Sequence, residues 1–178
     1  ITHFFKAVGQ SEWAEFFPDC GGFSQSPIDV DTSRTLYDPS LAPVQPLGYG
    51  QYGHEPFTLS NSGHTGNLLY KLYANISQAK TERNGLAVLG VLLEAGSETN
   101  QAYAHILNYL GRIRYAGQKV AIPAFDVQTL LPKDLSHYFR YNGSLTTPPC
   151  YQSVLWTIFS EKVKISHSQV GLHIQFCL

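Results

Sequence analysis

"YNGSLTTPPCYQSVLW", residues 141–156, joins two apolar runs through a loop of unusual composition. Before it, "SHYFRYNGS" (136–144) alternates into a strand that ends at Asn142-Gly143; after it, "QSVLWTIF" (152–159) reads as another strand. Between them stand Thr146 and Thr147, followed directly by Pro148 and Pro149. Proline fixes its own backbone and restricts the residue before it, so the two hydroxyls are held in a rigid loop at a strand end. Hydroxyls placed in that way orient a reactive water, which raises the question of what activates the water.

Working outward, "GLAVLGVLLEAG" (85–96) is the clearest strand, continuous and apolar as a central strand covered on both faces should be. Short strands are expected at Phe57–Ser60 and, at the end of the turn-rich stretch 16–30, at Ile28–Val30. "ETNQAYAHILNYLGRI" (98–113) sets Ala102, Ile106, Leu110 and Ile113 at helical spacing. "LAPVQPLGYGQYGHEP" (41–56) reads as a long surface loop, and "IPAFDVQTLLPKD" (122–134) as a loop with one helical turn. In "ISHSQVG" (165–171) Ser166 is a candidate N-cap for a helix expected to stop soon afterwards. The elements point to a mainly β (α+β) chain, and the length to a single domain over 1–178.

Composition narrows the function. Hydrophobic residues make up 43% of the 178 and charged residues 14%, which is globular rather than disordered. A formal net charge of −1 without any Lys/Arg run excludes a nucleic-acid footprint or a polybasic membrane patch. The longest apolar stretch, Leu86–Ala95, is interrupted by Gly90 and Glu94 and is too short for a transmembrane segment. The start "ITHFFKAVGQ" lacks a basic region followed by an apolar core, so any leader is expected to be gone. Cys20, Cys150 and Cys177 form no C-x-x-C pair, which excludes a zinc knuckle or a dithiol redox motif. Sequons at Asn75 and Asn142, with a cysteine pair, lean towards a secretory setting; buried free thiols in a cytosolic protein are the alternative.

"SQSPIDV" (24–30), "NSGHT" (61–65) and "YNGSLTTPPC" (141–150), in that order, resemble the α-carbonic anhydrases. "GLAVLGVLLEAG" and "LLPKDLSHYFRYNG" (130–143) add to the resemblance, which covers most of 16–170 and is nearest to the extracellular, membrane-anchored members. It implies a remnant of the family's twisted mixed β-sheet with short peripheral helices. It implies a Cys20–Cys150 disulfide, an extracellular or secretory location, and CO2 and bicarbonate as substrates. On the same resemblance Thr146 occupies the position that orients zinc hydroxide, and His64 that of the proton shuttle. Val88, Leu145, Thr147 and Trp156 correspond to pocket-lining positions.

The family's reaction needs zinc held by three histidines, with a fourth position open for water whose pKa the metal lowers to about 7. Two of those histidines come from an H-x-H on one strand, because alternate residues share a face. This chain has histidines at 3, 54, 64, 105, 137, 167 and 173, and no H-x-H. After "NSGHT" only "GNLLYKL" (66–72) leads to "YANISQAKTERNGLAVLG" (73–90), where the family would insert both ligand strands. The far end, "LHIQFCL" (172–178), is short of the family pattern as well. The expectation is therefore no metal site, no cofactor and no CO2 hydration. Thr146 is then a turn residue, His64 is vestigial, and "GLAVLGVLL" (85–93) lacks a neighbouring strand. The alternatives are a zinc-free binding module, whose protein partners the sequence does not identify, and a non-functional shortened isoform.

Overall fold

The computed structural model describes residues 9–47, 56–61, 66–69 and 79–177, with the side chains of 66–69 and 173–177 excepted. Eight strands are described: β1 Phe57–Asn61, β2 Gly66–Leu69, β3 Leu86–Gly90, β4 Leu93–Gly96, β5 Lys119–Ile122, β6 Tyr138–Gly143, β7 Val154–Phe159 and β8 Val163–Ser166. The α-helices among the described residues are α1 Trp13–Phe16, α2 Gln101–Leu110 and α3 His167–Cys177. The strands form three small sheets, ordered β2-β1-β5, β3-β7-β6 and β4-β8, so the mainly β, α+β reading stands. By internal contacts the chain divides into two units: 1–41 with 73–90 and 139–157, and 42–72 with 91–138 and 158–178.

The second unit holds the larger apolar core. β1 runs antiparallel to both β2 and β5, with Leu59 opposite Leu68 and Val120. Phe57 and Leu59 lie two apart on β1 and so face one side, where they meet Leu107, Leu110, Ile113 and Ile122. The helical residues sit three apart, which places them on one stripe of α2 and the turn that follows. Asn100 starts α2, its Oδ1 accepting from the backbone N–H groups of Ala102 and Tyr103 at 3.1 and 3.3 Å. The Tyr103 hydroxyl donates to the Leu130 carbonyl at 2.9 Å. In the same unit β4 and β8 pair in parallel from Leu93↔Val163 to Gly96↔Ser166.

Three expectations change. The apolar run 85–96 is two strands broken at Val91-Leu92, and the break coincides with the boundary between the units. Its burial alternates and Leu92 is 49% exposed, so it is not a central strand. Among the described residues β3 pairs with β7 and β4 with β8, so the run has the neighbouring strands it was expected to lack, while its alternating burial leaves one face of each strand exposed. Ile28–Val30 is irregular, with Ile28 47% exposed: β propensity alone does not make a strand where no ladder partner is supplied. The C-terminal helix does not stop early; α3 runs for 11 residues. Ser166 Oγ accepts from the Gln169 N–H at 3.3 Å while Gln169 Oε1 accepts from the Ser166 N–H at 3.0 Å, a reciprocal cap. The short strands β2, β5 and β8 have no counterpart in the reading of the sequence.

In the first unit, burial falls mainly on small and polar residues: Ser144, Ser153, Thr157, Cys150 and Val154. What organises it is a set of hydrogen bonds and one covalent bond around the 141–156 loop.

Candidate functional site

β6 delivers the loop and β7 takes the chain away. Ser144, immediately after β6, is fully buried and exchanges two bonds with Ser26: its N–H donates to Ser26 Oγ at 3.1 Å, and its Oγ accepts from the Ser26 N–H at 3.0 Å. The Ser144 hydroxyl donates to the Leu145 carbonyl at 2.9 Å. Trp156, on β7, donates its indole N–H to the Ser144 carbonyl at 3.0 Å, and its ring stacks on Tyr141 at 6.3 Å. The Tyr141 hydroxyl donates to Ser26 Oγ at 3.3 Å. Glycine at 143 is required by space, since a Cβ there would overlap Ser26 Oγ and the rings of Tyr141 and Trp156.

Beyond Leu145 the loop closes on itself. The Cys150 N–H donates to the Thr147 carbonyl and the Leu145 N–H to the Tyr151 carbonyl, both at 3.0 Å. The Ser26-Pro27 and Pro148-Pro149 peptide bonds are cis, and Cys150 takes φ 55°. Cys20 and Cys150 are disulfide-bonded, with Cα atoms 4.9 Å apart, as the resemblance implies. The Ser24 N–H donates to Gln152 Oε1 at 2.8 Å. The segment 20–26 is thus clamped on the loop by one covalent and several hydrogen bonds.

Thr146 is exposed, and its hydroxyl makes no hydrogen bond among the described residues. Thr147 and Leu145 are half-buried in the same loop, as is Trp156 on β7, while Val88 is half-buried on the neighbouring β3. The Trp156 indole holds the loop carbonyl of Ser144 in place. Asn142 is exposed on β6. His64 and Asn75 lie outside the described residues. Residue-by-residue reading missed Ser26, Ser144 and Gln152: "SQS" and "GS" are ordinary polar stretches until the fold brings them together. Ser153 Oγ, just before β7, is buried without a hydrogen-bond partner among the described residues.

Zinc finds no fitting donor set among the described residues, where no group of three or more His, Cys, Asp or Glu side chains converges. His105 stacks on Phe125 at 5.7 Å, and His167 is exposed at the first position of α3. His137 Nδ1 contacts Asp134 Oδ2, and Ser136 Oγ approaches the same nitrogen at 3.1 Å. That trio is not a nucleophilic triad, which needs serine and carboxylate on opposite ring nitrogens. The Ser136 hydroxyl and N–H, and then His137, hold the Asp134 carboxyl well below the usual range, in an exposed turn. Burial pushes the Tyr103 hydroxyl up to about 12.

The sequence profile of eukaryotic-type carbonic anhydrases matches residues 8–72 and 68–175, nearly the whole chain. The chain belongs to that family. It is 33% identical to human carbonic anhydrase 12, over 94% of this chain and 61% of the relative. It is 32% identical to mouse carbonic anhydrase 6 (92% and 68%) and 29% identical to mouse carbonic anhydrase 15 (91% and 68%). The chain therefore spans about three fifths to two thirds of the curated relatives it matches. The alignment with carbonic anhydrase 12 runs over 218 residues against a chain of 178, so the relative carries residues with no counterpart here. The family match also breaks into two blocks that meet at 68–72, within "GNLLYKL". Carbonic anhydrases of this family are zinc-dependent and act on CO2 and bicarbonate, and none of the described side chains assembles that metal site.

Proposed function

We infer that this chain is a zinc-free member of the carbonic anhydrase family that does not hydrate CO2. One observation carries the reading: the family match is interrupted at 68–72, and no H-x-H occurs anywhere in the chain. Zinc needs ligands within about 2.1 Å of one point, and the water it activates is the family's nucleophile. Thr146 only orients such a water and His64 only relays its proton, so neither generates hydroxide. Val88, Leu145, Thr147 and Trp156 are then structural residues of the first unit, and Thr146 is a turn residue.

The test measures zinc content and sulfonamide-inhibitable CO2 hydration on one sample after incubation with excess zinc. The expected result is no stoichiometric zinc and no hydration above background. Restoring the family's missing segment between Thr65 and Tyr73 should recover zinc binding. One tightly held zinc per unaltered chain, with inhibitable turnover, refutes the reading.

A second reading, a binding module, is favoured by the apolar side chains that the first unit leaves in solvent: Phe23, Leu36 and Tyr37 are at least nine-tenths exposed. Their replacement together by Ser should abolish capture of any partner that binds through them. The Cys20–Cys150 disulfide and the resemblance to extracellular members support a secretory or extracellular location.

A further inference from the structure

The sequon Asn142-Gly143-Ser144 has one half in solvent and the other half sealed. Asn142 is exposed on β6, whereas Ser144 is fully buried. The Ser144 hydroxyl is engaged on both sides, accepting from the Ser26 N–H and donating to the Leu145 carbonyl. Between the two, Gly143 is packed against Ser26, Tyr141 and Trp156. N-glycosylation requires the transferase to reach the asparagine amide and the hydroxyl two residues on, within one extended segment. In the folded first unit the amide is reachable and the hydroxyl is not.

We propose that Asn142 is a glycosylation site open only until the first unit closes, so that disulfide formation and sugar transfer compete for the same segment. The proposal rests on the secretory reading. The donor is a lipid-pyrophosphate-linked oligosaccharide. Asn142 Nδ2 attacks the anomeric carbon, a C–N bond forms, the C–O bond to pyrophosphate breaks, and the Nδ2 proton passes to a base of the transferase. The Cys20–Cys150 bond sets the deadline because it fixes segment 20–26, and with it Ser26, over Ser144. Cys150 follows the sequon closely in the chain, so the bond that closes the site becomes possible soon after Asn142 is made. The sequon at Asn75 is an internal reference on the same molecule.

The full chain, translated behind a cleavable secretory leader into microsomes, is scored by mass spectrometry for occupancy at both asparagines. Under oxidising conditions Asn142 should be modified on only part of the molecules. Cys20→Ser should raise the ratio of Asn142 to Asn75 occupancy. Ser26→Ala, which keeps the disulfide and removes the Ser26 hydroxyl bonds, should raise it less. In a separate arm, the purified disulfide-bonded chain offered transferase and donor should accept no glycan at Asn142 until it is reduced and unfolded. An unchanged ratio in both variants overturns the proposal, as does ready transfer to the folded chain. Absence of glycan from Asn142 in every variant overturns it as well, whereas the secretory reading is tested separately by the location of the protein in its own cells.

Discussion

Removing the Cys20–Cys150 bond gives the sharpest test of how the first unit holds together. The two cysteines are 130 positions apart, and the cross-link denies the unfolded chain the conformations of that whole loop. With the loop-entropy relation the stabilisation is about 5 kcal/mol, an upper value because a compact denatured state already lacks some of those conformations. Total domain stabilities of about 5–15 kcal/mol make this a large share. Both tryptophans of the chain, Trp13 and Trp156, belong to the first unit, so their fluorescence reports its unfolding without a signal from the second. The assay is a urea titration of Cys20→Ser/Cys150→Ser against the oxidised chain, followed by tryptophan emission. With a slope of about 2 kcal/mol per M, the midpoint should fall by up to about 2.5 M, leaving little folded baseline. Equal midpoints would show that the Ser26–Ser144 and Ser24–Gln152 bonds suffice, and would refute the covalent clamp as the principal support.

Gly143→Ala should destabilise the first unit by about 1–3 kcal/mol, the usual range for overpacking, because its Cβ would overlap Ser26 and two rings; an unchanged tryptophan-detected midpoint would contradict the packing described. Gln169 is 5% exposed and its Oε1 accepts from the N–H groups of Ser166 and Asn100, so Gln169→Ala should cost about 1–3 kcal/mol through unsatisfied donors. Circular dichroism at the helix band would read that loss, and a wild-type melt would refute it. The hydroxyl of Tyr103 is pushed up to about 12 in the fold, against 10.0 unperturbed, so the folded state holds its proton more tightly. Stability from this group is complete below the unfolded value and declines as pH rises from about 10 to about 12. Tyr103→Phe should flatten the pH dependence in that window, and an identical slope in the variant would count against it.

How much was legible in the sequence differs by element. α2 is legible, because Ala102, Ile106, Leu110 and Ile113 recur at helical spacing, although the cap at Asn100 is seen only in the fold. β6 and β7 are legible, because alternation runs up to Gly143 in the first and an apolar run carries the second. The run 85–96 was misread: its residues suit a doubly covered strand, while its burial here is decided by which neighbours are present. The length of α3 is not legible, because its start is held by Gln169 folding back on Ser166, a pairing visible only in the fold. The Thr146–Thr147 loop was found from its own residues, and the disulfide from the family resemblance. The Ser26–Ser144 exchange spans 118 positions, a distance over which no local pattern carries information.

The two units should also differ in their calorimetric character. Phe57, Leu59, Leu107, Leu110, Ile113, Ile122, Phe159 and Ile165 are buried in the second unit, whereas Val154 is the largest aliphatic side chain fully buried among the described residues of the first. Heat capacity on unfolding rises with the apolar surface newly hydrated and falls with the polar surface. A unit closed by serines, a tryptophan N–H and a cystine therefore hydrates little apolar area when it opens. Its stability curve against temperature should be shallow, with a broad maximum and weak loss on cooling, while the phenylalanine- and leucine-filled unit should show the steeper curvature.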